Sequence, residues 1–100
     1  MIIGCCSIKF YLHGNRSLKG KRQVARSIKD RLKKNFNVSV AEVGDQDNLQ
    51  SLHIGISAIS SDRPYMDGLL TKVTNAIDIM NLAEITVCET EIINLGSGKF

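Results

Sequence analysis

Tryptophan is absent from this chain, proline occurs once, and there are five aromatic residues, two Tyr and three Phe. The cysteines are few and odd in number, Cys5, Cys6 and Cys88, without the spacing of a disulfide framework. That argues against a stapled secreted domain and for a reducing compartment, so the expected location is the cytoplasm. No apolar run approaches the roughly 20 residues that span a bilayer. The opening Met1-Ile-Ile-Gly-Cys-Cys-Ser-Ile-Lys9 has no basic n-region and only a short apolar stretch. It reads as a buried strand and not as a signal peptide.

What is present is ordinary in amount and unusual in distribution. One hundred residues with 43% hydrophobic and 23% charged content suit one soluble domain with one core. The formal charge is only +3, yet Arg16–Lys34 holds nine of the 13 Lys and Arg residues and one of the ten acids, Asp30. These 19 residues therefore carry +8 and the remaining 81 carry −5. The chain reads as one cationic element on an acidic body, and clustering of this kind matters more than net charge.

Residues 2–12 alternate as a strand, with Ile2, Gly4, Cys6, Ile8, Phe10 and Leu12 expected on the core side. His13-Gly-Asn-Arg16 is a turn, Ser17 a helix N-cap, and the spacing predicts a helix from about Leu18 to Asn35. Leu18, Ala25, Ile28, Leu32 and Phe36 form its apolar stripe, widened by Val24. Val38–Val43 and Leu52–Ile59 read as two strands of an antiparallel hairpin. Ser60-Ser-Asp-Arg-Pro64 starts a second helix, with Met66, Leu69, Leu70, Val73, Ile77 and Met80 on one face. Ala83–Ile93 is a fourth strand, and residues 1–95 make one domain followed by a flexible tail, 96–100.

The order βαββαβ is the ferredoxin-like arrangement of the α+β class, a four-stranded antiparallel sheet with both helices on one face. Right-handed crossovers put the first and third strands in the centre. The outer sheet face then carries Cys5, Ser7, Lys9, Tyr11, His53, Gly55, Ser57 and Ile59, a half-polar mixture that suits either water or a second subunit.

At about 100° per residue, Lys19, Arg22, Arg26, Lys29 and Lys33 fall in roughly one quadrant of the first helix. No acid lies inside that quadrant, and Asp30 beside it can neutralise part of one edge. Cation faces cation at i,i+4, where mixed charge would stabilise the helix, so a plain solvated face is the weaker reading. The stripe suits a polymer of phosphates. A second candidate, for a single phosphate, is the helix start, where Arg16, Ser17 and Lys21 surround free backbone N–H groups. Gly14 to Lys21 is not a P-loop, because five residues separate the glycines and Arg22 stands where Ser or Thr should hold magnesium.

No catalytic constellation and no metal or cofactor site is expected. Cys5 and Cys6 point to opposite sheet faces, and Cys88 is expected to be a buried thiol near one of them. His13 and His53 are expected near opposite ends of neighbouring strands that run parallel, apart from one another. Asp45, Asp47 and Asp62 are accounted for by turns and a cap. RNA recognition by stacking on the sheet is excluded, since Tyr11 is the one aromatic side chain on the outer face.

Arg16-Ser-Leu-Lys-Gly-Lys-Arg22, Phe36-Asn-Val-Ser-Val-Ala-Glu-Val-Gly-Asp-Gln-Asp47 and Ser60-Ser-Asp-Arg63 together resemble the YlxP-like family of small bacterial proteins. The resemblance extends over about residues 2–93. It implies a ferredoxin-like fold, a cytoplasmic bacterial protein and, because relatives are often encoded near translation-initiation and ribosome-maturation genes, a link to ribosomal RNA. It carries no catalytic residues. Relatives commonly have Glu where this chain has Gly20, so a capping box with Ser17 is missing here.

The first expectation is thus a non-enzymatic factor that binds structured, ribosomal RNA through the basic helix. The alternatives are an enzyme or sensor for a small phosphorylated ligand at the helix start, and a homo-oligomer, possibly a dimer, assembled through the outer sheet face.

Overall fold

The computed structural model describes residues 1–96, so the tail expected at 96–100 lies, but for Gly96, outside the described residues. Six elements follow in order: β1 (Ile2–Tyr11), α1 (Leu18–Asn35), β2 (Ser39–Gly44), β3 (Ser51–Ser60), α2 (Arg63–Met80) and β4 (Glu84–Asn94). The strands form one antiparallel sheet in the order β2-β3-β1-β4, with β1 and β3 central. This is the ferredoxin-like arrangement read from the sequence.

Alternation in β1 and β3 decides which face is dry. Ile2, Cys6, Ile8, Phe10 and Leu12, with Leu52, Ile54, Ile56 and Ala58, are buried beneath the helices. From the helices come Ala25, Ile28 and Leu32 of α1, and Met66, Leu69, Leu70, Val73 and Ile77 of α2. Leu32 and Val73 have no exposed surface, and burial of each is worth about 1.5–3 kcal/mol. Gly4 is placed where α2 comes closest, because a side chain there would run into Met66.

Local signals set the helix ends. Ser17 Oγ accepts the Gly20 N–H at 3.0 Å, and Asp62 Oδ2 accepts the Tyr65 N–H at 2.9 Å, so each helix has a side-chain cap. Asn81 ends α2 in the left-handed region at φ 49°, a conformation Asn tolerates. Met1 and Leu95 exchange backbone hydrogen bonds at 2.9 and 3.0 Å, tying the start of β1 to the end of β4.

The helices cover the sheet unevenly. α1 lies over β2 and β3, whereas α2 lies over β1, β3 and β4. Of the 11 residues of β4, only Ile85 and Ile92 are even half-buried. One departure concerns α1 itself. Leu18, read as the first member of the apolar stripe, is 44% exposed, and Lys21, at 2%, takes its place.

Candidate anion-binding site

The five cations of the α1 stripe fall where their spacing puts them. Lys19, Arg22, Arg26 and Lys33 are exposed, and Lys29 is half-buried. None makes an ion pair among the described residues, where the two salt bridges are Lys9–Asp45 and His13–Glu84. Asp30, expected to neutralise one edge, is exposed and pairs with none of them. Val24 marks the opposite flank of the helix, sharing a cleft with Leu82 and Ala83 beyond the end of α2. The stripe, about half a turn away from Val24, therefore faces away from α2 and overhangs the β2 edge.

The electrostatics of α1 are unfavourable at its start and favourable at its end. Its first turn holds no acid, and Lys33 and Lys34 lie in its last turn. Cations beside the positive end of the helix dipole cost stability, whereas the same charges at the far end add to it.

The helix start is a different place from the one the sequence suggests. Lys21 points inward, and its ammonium donates to the carbonyl oxygens of Asp45 at 2.6 Å and Asn48 at 2.9 Å, with Gln46 at 3.5 Å. It is thereby committed to the β2–β3 loop and is not available to an exposed phosphate. Ser17 already accepts a hydrogen bond from Gly20. Arg16 remains exposed, but it borders a concavity that it shares with Asn15, Asp45 and Asp47. Two carboxylates beside one free guanidinium disfavour an isolated anion. Of the residues assigned to a single phosphate, then, Lys21 is withdrawn and Ser17 is partly used.

Gly20 belongs to this joint. The volume that a side chain would occupy there is filled by the amide of Asn15. Asn15 Nδ2 donates to the carbonyls of Leu49 at 2.6 Å and Ser17 at 3.0 Å, a second link between the helix start and the loop. The glycine that costs this chain a capping box thus makes room for Asn15.

The histidines correct a further expectation. β1 and β3 run antiparallel, with Lys9 opposite His53 and Tyr11 opposite Ser51, so His13 and His53 lie toward the same end of the sheet. They still have separate partners. His13 Nε2 is 3.3 Å from Glu84 Oε1, and His53 Nε2 is 2.7 Å from Ser7 Oγ. The Ser7–His53 pair was missed by the sequence reading, which had the two central strands running the wrong way relative to each other. A hydroxyl against an imidazole is two-thirds of a nucleophilic triad. Here Asp45, the nearby carboxylate, accepts instead from Ser51 Oγ at 2.6 Å. The amides around Ser7 are spent in a strand paired on both sides, leaving none to stabilise an oxyanion.

The hydrogen bond from Ser51, followed by the charges of Lys9, His53 and Lys21, holds the Asp45 carboxyl below the usual range. The three cysteines are free. Cys6 is buried, Cys5 half-buried and Cys88 exposed, so the expectation of a buried thiol at Cys88 is overturned. Edge strand β4 extends past the cover of α2. Burial first, and then the neighbouring Cys88 thiol, push Cys6 up to about 12. Among the described residues no group of three or more His, Cys, Asp or Glu is placed to hold a metal ion, and no helix is long and apolar enough to cross a membrane.

The family described as "Protein of unknown function (DUF503)" matches residues 3–90. This chain belongs to that family. The Uncharacterized protein YlxP of Bacillus subtilis (strain 168) is 37% identical over 90 residues, covering 90% of this chain and 98% of its own. Two solved structures share the fold. The de novo designed protein Foldit4 has a TM-score of 0.52 at 16% identity, over 93% of this chain and 96% of the design. A VAO-type flavoprotein from Myceliophthora thermophila C1 has a TM-score of 0.55 at 16% identity, over 93% of this chain but only 16% of the flavoprotein. At that identity the likeness speaks for the fold alone. Membership of the DUF503 family brings no named activity.

Proposed function

We propose that this DUF503 protein is a non-catalytic RNA-associated factor that grips the phosphates of structured RNA along α1. It works in the cytoplasm, where three free cysteines stay reduced, and ribosomal RNA is the class that the family resemblance implies. The observation that carries the reading is the row Lys19, Arg22, Arg26, Lys29 and Lys33, unpaired and on the flank turned away from α2.

Each step along the row is three or four residues, about 4.5–6 Å of helix rise, and the whole row spans about 21 Å. That repeat is on the scale of successive phosphates on a nucleic-acid strand, and such contacts carry affinity without reading bases. A lone phosphate needs convergence, whereas this row is linear. The loss of Lys21 to the loop also favours the polymer over a small phosphorylated ligand.

The test is fluorescence anisotropy with a labelled RNA hairpin. Arg22→Glu with Arg26→Glu is expected to weaken binding by more than about tenfold. Arg31→Glu with Lys34→Glu makes the same change of net charge off the row and is expected to cost less. Inorganic phosphate at millimolar concentration is expected not to compete. Unchanged affinity in the first double variant defeats the reading.

A further inference from the structure

Every strand of the sheet exposes an apolar side chain on the outer face, among polar ones. Ile59 is 69% exposed, Val43 53%, Ile93 40%, Val87 38% and Tyr11 36%. Ile3 joins them, and the register sets Ile59, Ile3 and Ile93 side by side in one row across β3, β1 and β4. An antiparallel sheet with one face in water ordinarily shows polar side chains there. This face instead exposes a contiguous isoleucine row at one end and a concavity of about 580 Å³ around Gly55 and Ser7 at its centre.

The geometry points to a second copy of this chain as the occupant, the two sheets packing face to face about a two-fold axis. Size is the first argument. Four strands about 4.8 Å apart and ten residues at about 3.3 Å each give roughly 600 Å² in projection, before side-chain relief is added. A stable pairing buries about 800 Å² per partner, so the whole face is needed, with side-chain relief making up the remainder.

Charge is the second argument. Unlike α1, this face carries both signs, Lys9 on β1, which stands 4.0 Å from Asp45 of its own chain, and the pair Glu89 and Glu91 on β4. An anionic or cationic partner would meet one sign and be repelled by the other, whereas a two-fold interface needs a self-complementary patch. The register makes that specific. Lys9 and His53 lie one row to one side of Ser7, and Cys5, Ser57 and Glu91 lie one row to the other. A two-fold axis running across the strands at the Ser7 row exchanges these rows, bringing Lys9 of each copy toward Glu91 of the other. It also lays the isoleucine row of each copy over the row Ser51, Tyr11 and Glu84 of the other, with Ile3 over Tyr11 and Glu84 held at the edge by its own His13. Glu89 belongs to the Ser7 row and so lies opposite its own counterpart across the axis, and from the exposed β4 edge the two carboxylates must turn outward to solvent. Both α1 helices remain on the outside, so this pairing does not depend on the RNA reading.

Sedimentation velocity of the full chain tests the proposal. The wild type is expected at twice 11.0 kDa. Ile59→Lys, at a site too exposed to disturb folding, is expected to give monomer, while Ile79→Lys, equally apolar and 81% exposed on α2, leaves the dimer intact. Glu91→Lys, which leaves the Lys9–Asp45 pair within each chain intact, is expected to dissociate the dimer, and Glu91→Lys with Lys9→Glu to restore it. A wild type that stays monomeric at high concentration overturns the proposal and leaves the face to a different partner or to water. Dissociation by Ile79→Lys but not by Ile59→Lys overturns it too. Failure of the charge exchange to restore the dimer defeats the two-fold arrangement.

Discussion

The ammonium of Lys21 lies 2.6 Å from the backbone carbonyl oxygen of Asp45, across 24 residues of sequence. A second carbonyl, that of Asn48, accepts from it at 2.9 Å. One buried cation thereby holds the β2–β3 loop in place against the first turn of α1. Asp45 is also in the left-handed region, at φ 56°, so the loop presents its carbonyls inward by virtue of a backbone turn that Asp tolerates.

Replacing Lys21 with Met removes the donor but keeps the volume. The carbonyls of Asp45 and Asn48 lose their charged donor and keep only backbone amides, Asn48 N–H at 3.1 Å and Ser51 N–H at 3.4 Å. Hydrogen bonds from a charged donor are worth about 1.5–3 kcal/mol. The expected loss of stability is therefore about 2–3 kcal/mol in urea unfolding, with faster amide exchange at Asn48 and Ser51. RNA affinity should change little, because Lys21 is not part of the exposed row. A stability loss below about 0.5 kcal/mol would show that the loop holds itself.

Asp45 makes stability depend on acid. Its folded carboxyl titrates below the ordinary value, chiefly through the Ser51 hydroxyl and next through Lys9. A depressed carboxyl contributes stability that is present above the unfolded value, near 3.9, and is lost as pH falls through the folded one. NMR titration of the wild type is expected to show Asp45 with a midpoint below the ordinary carboxylate value of about 3.9. Ser51→Ala should move the Asp45 midpoint upward.

Cys6 gives the opposite slope at alkaline pH. Its folded thiol is pushed up to about 12 from 9.0, so between those values the unfolded chain releases a proton that the folded chain keeps. Stability is then expected to fall with rising pH across that window, by at most about 1.4 kcal/mol per unit. Cys6→Ala should be less stable at neutral pH, from the lost packing, yet show a flatter alkaline slope. In the native wild type, Cys88 should react first with a thiol reagent at pH 8 and Cys6 last, since the thiolate is the reactive form.

RNA affinity should fall steeply with salt. If four or five of the α1 cations meet phosphates, the slope of log K against log salt is expected near −3 to −4. Arg22→Ala with Arg26→Ala should reduce that slope by one to two. A wild-type slope near zero would place binding elsewhere.

Most of the fold was legible because its signals are local. The period of two in Ile2–Leu12 and of 3.6 in Leu18–Asn35, with caps at Ser17 and Asp62, gave elements whose observed bounds match within a residue or two. The cation row was legible for the same reason, being a helical repeat. The exceptions were long-range. Lys21 falls among the apolar residues by helical period, where a first-turn lysine is expected to reach past the edge of the core. It stays buried instead because the β2–β3 loop offers carbonyls there, while Leu18 is left exposed. Ser7 meets His53 through strand register alone, and Cys88 is exposed because β4 extends past the cover of α2.

The sequence by itself therefore determined the order of elements, the dry face of each, the family and the acid-free basic row on α1. Periodicity and capping act within a few residues, and they are written directly in the chain. Only the tertiary structure decided which of the basic residues were free. Lys21 and Arg22 are neighbours in sequence with the same formal charge. One is consumed by carbonyls 24 to 27 residues away, and the other is left in solvent. A buried ammonium must find acceptors wherever the fold supplies them, and no local pattern records where that will be.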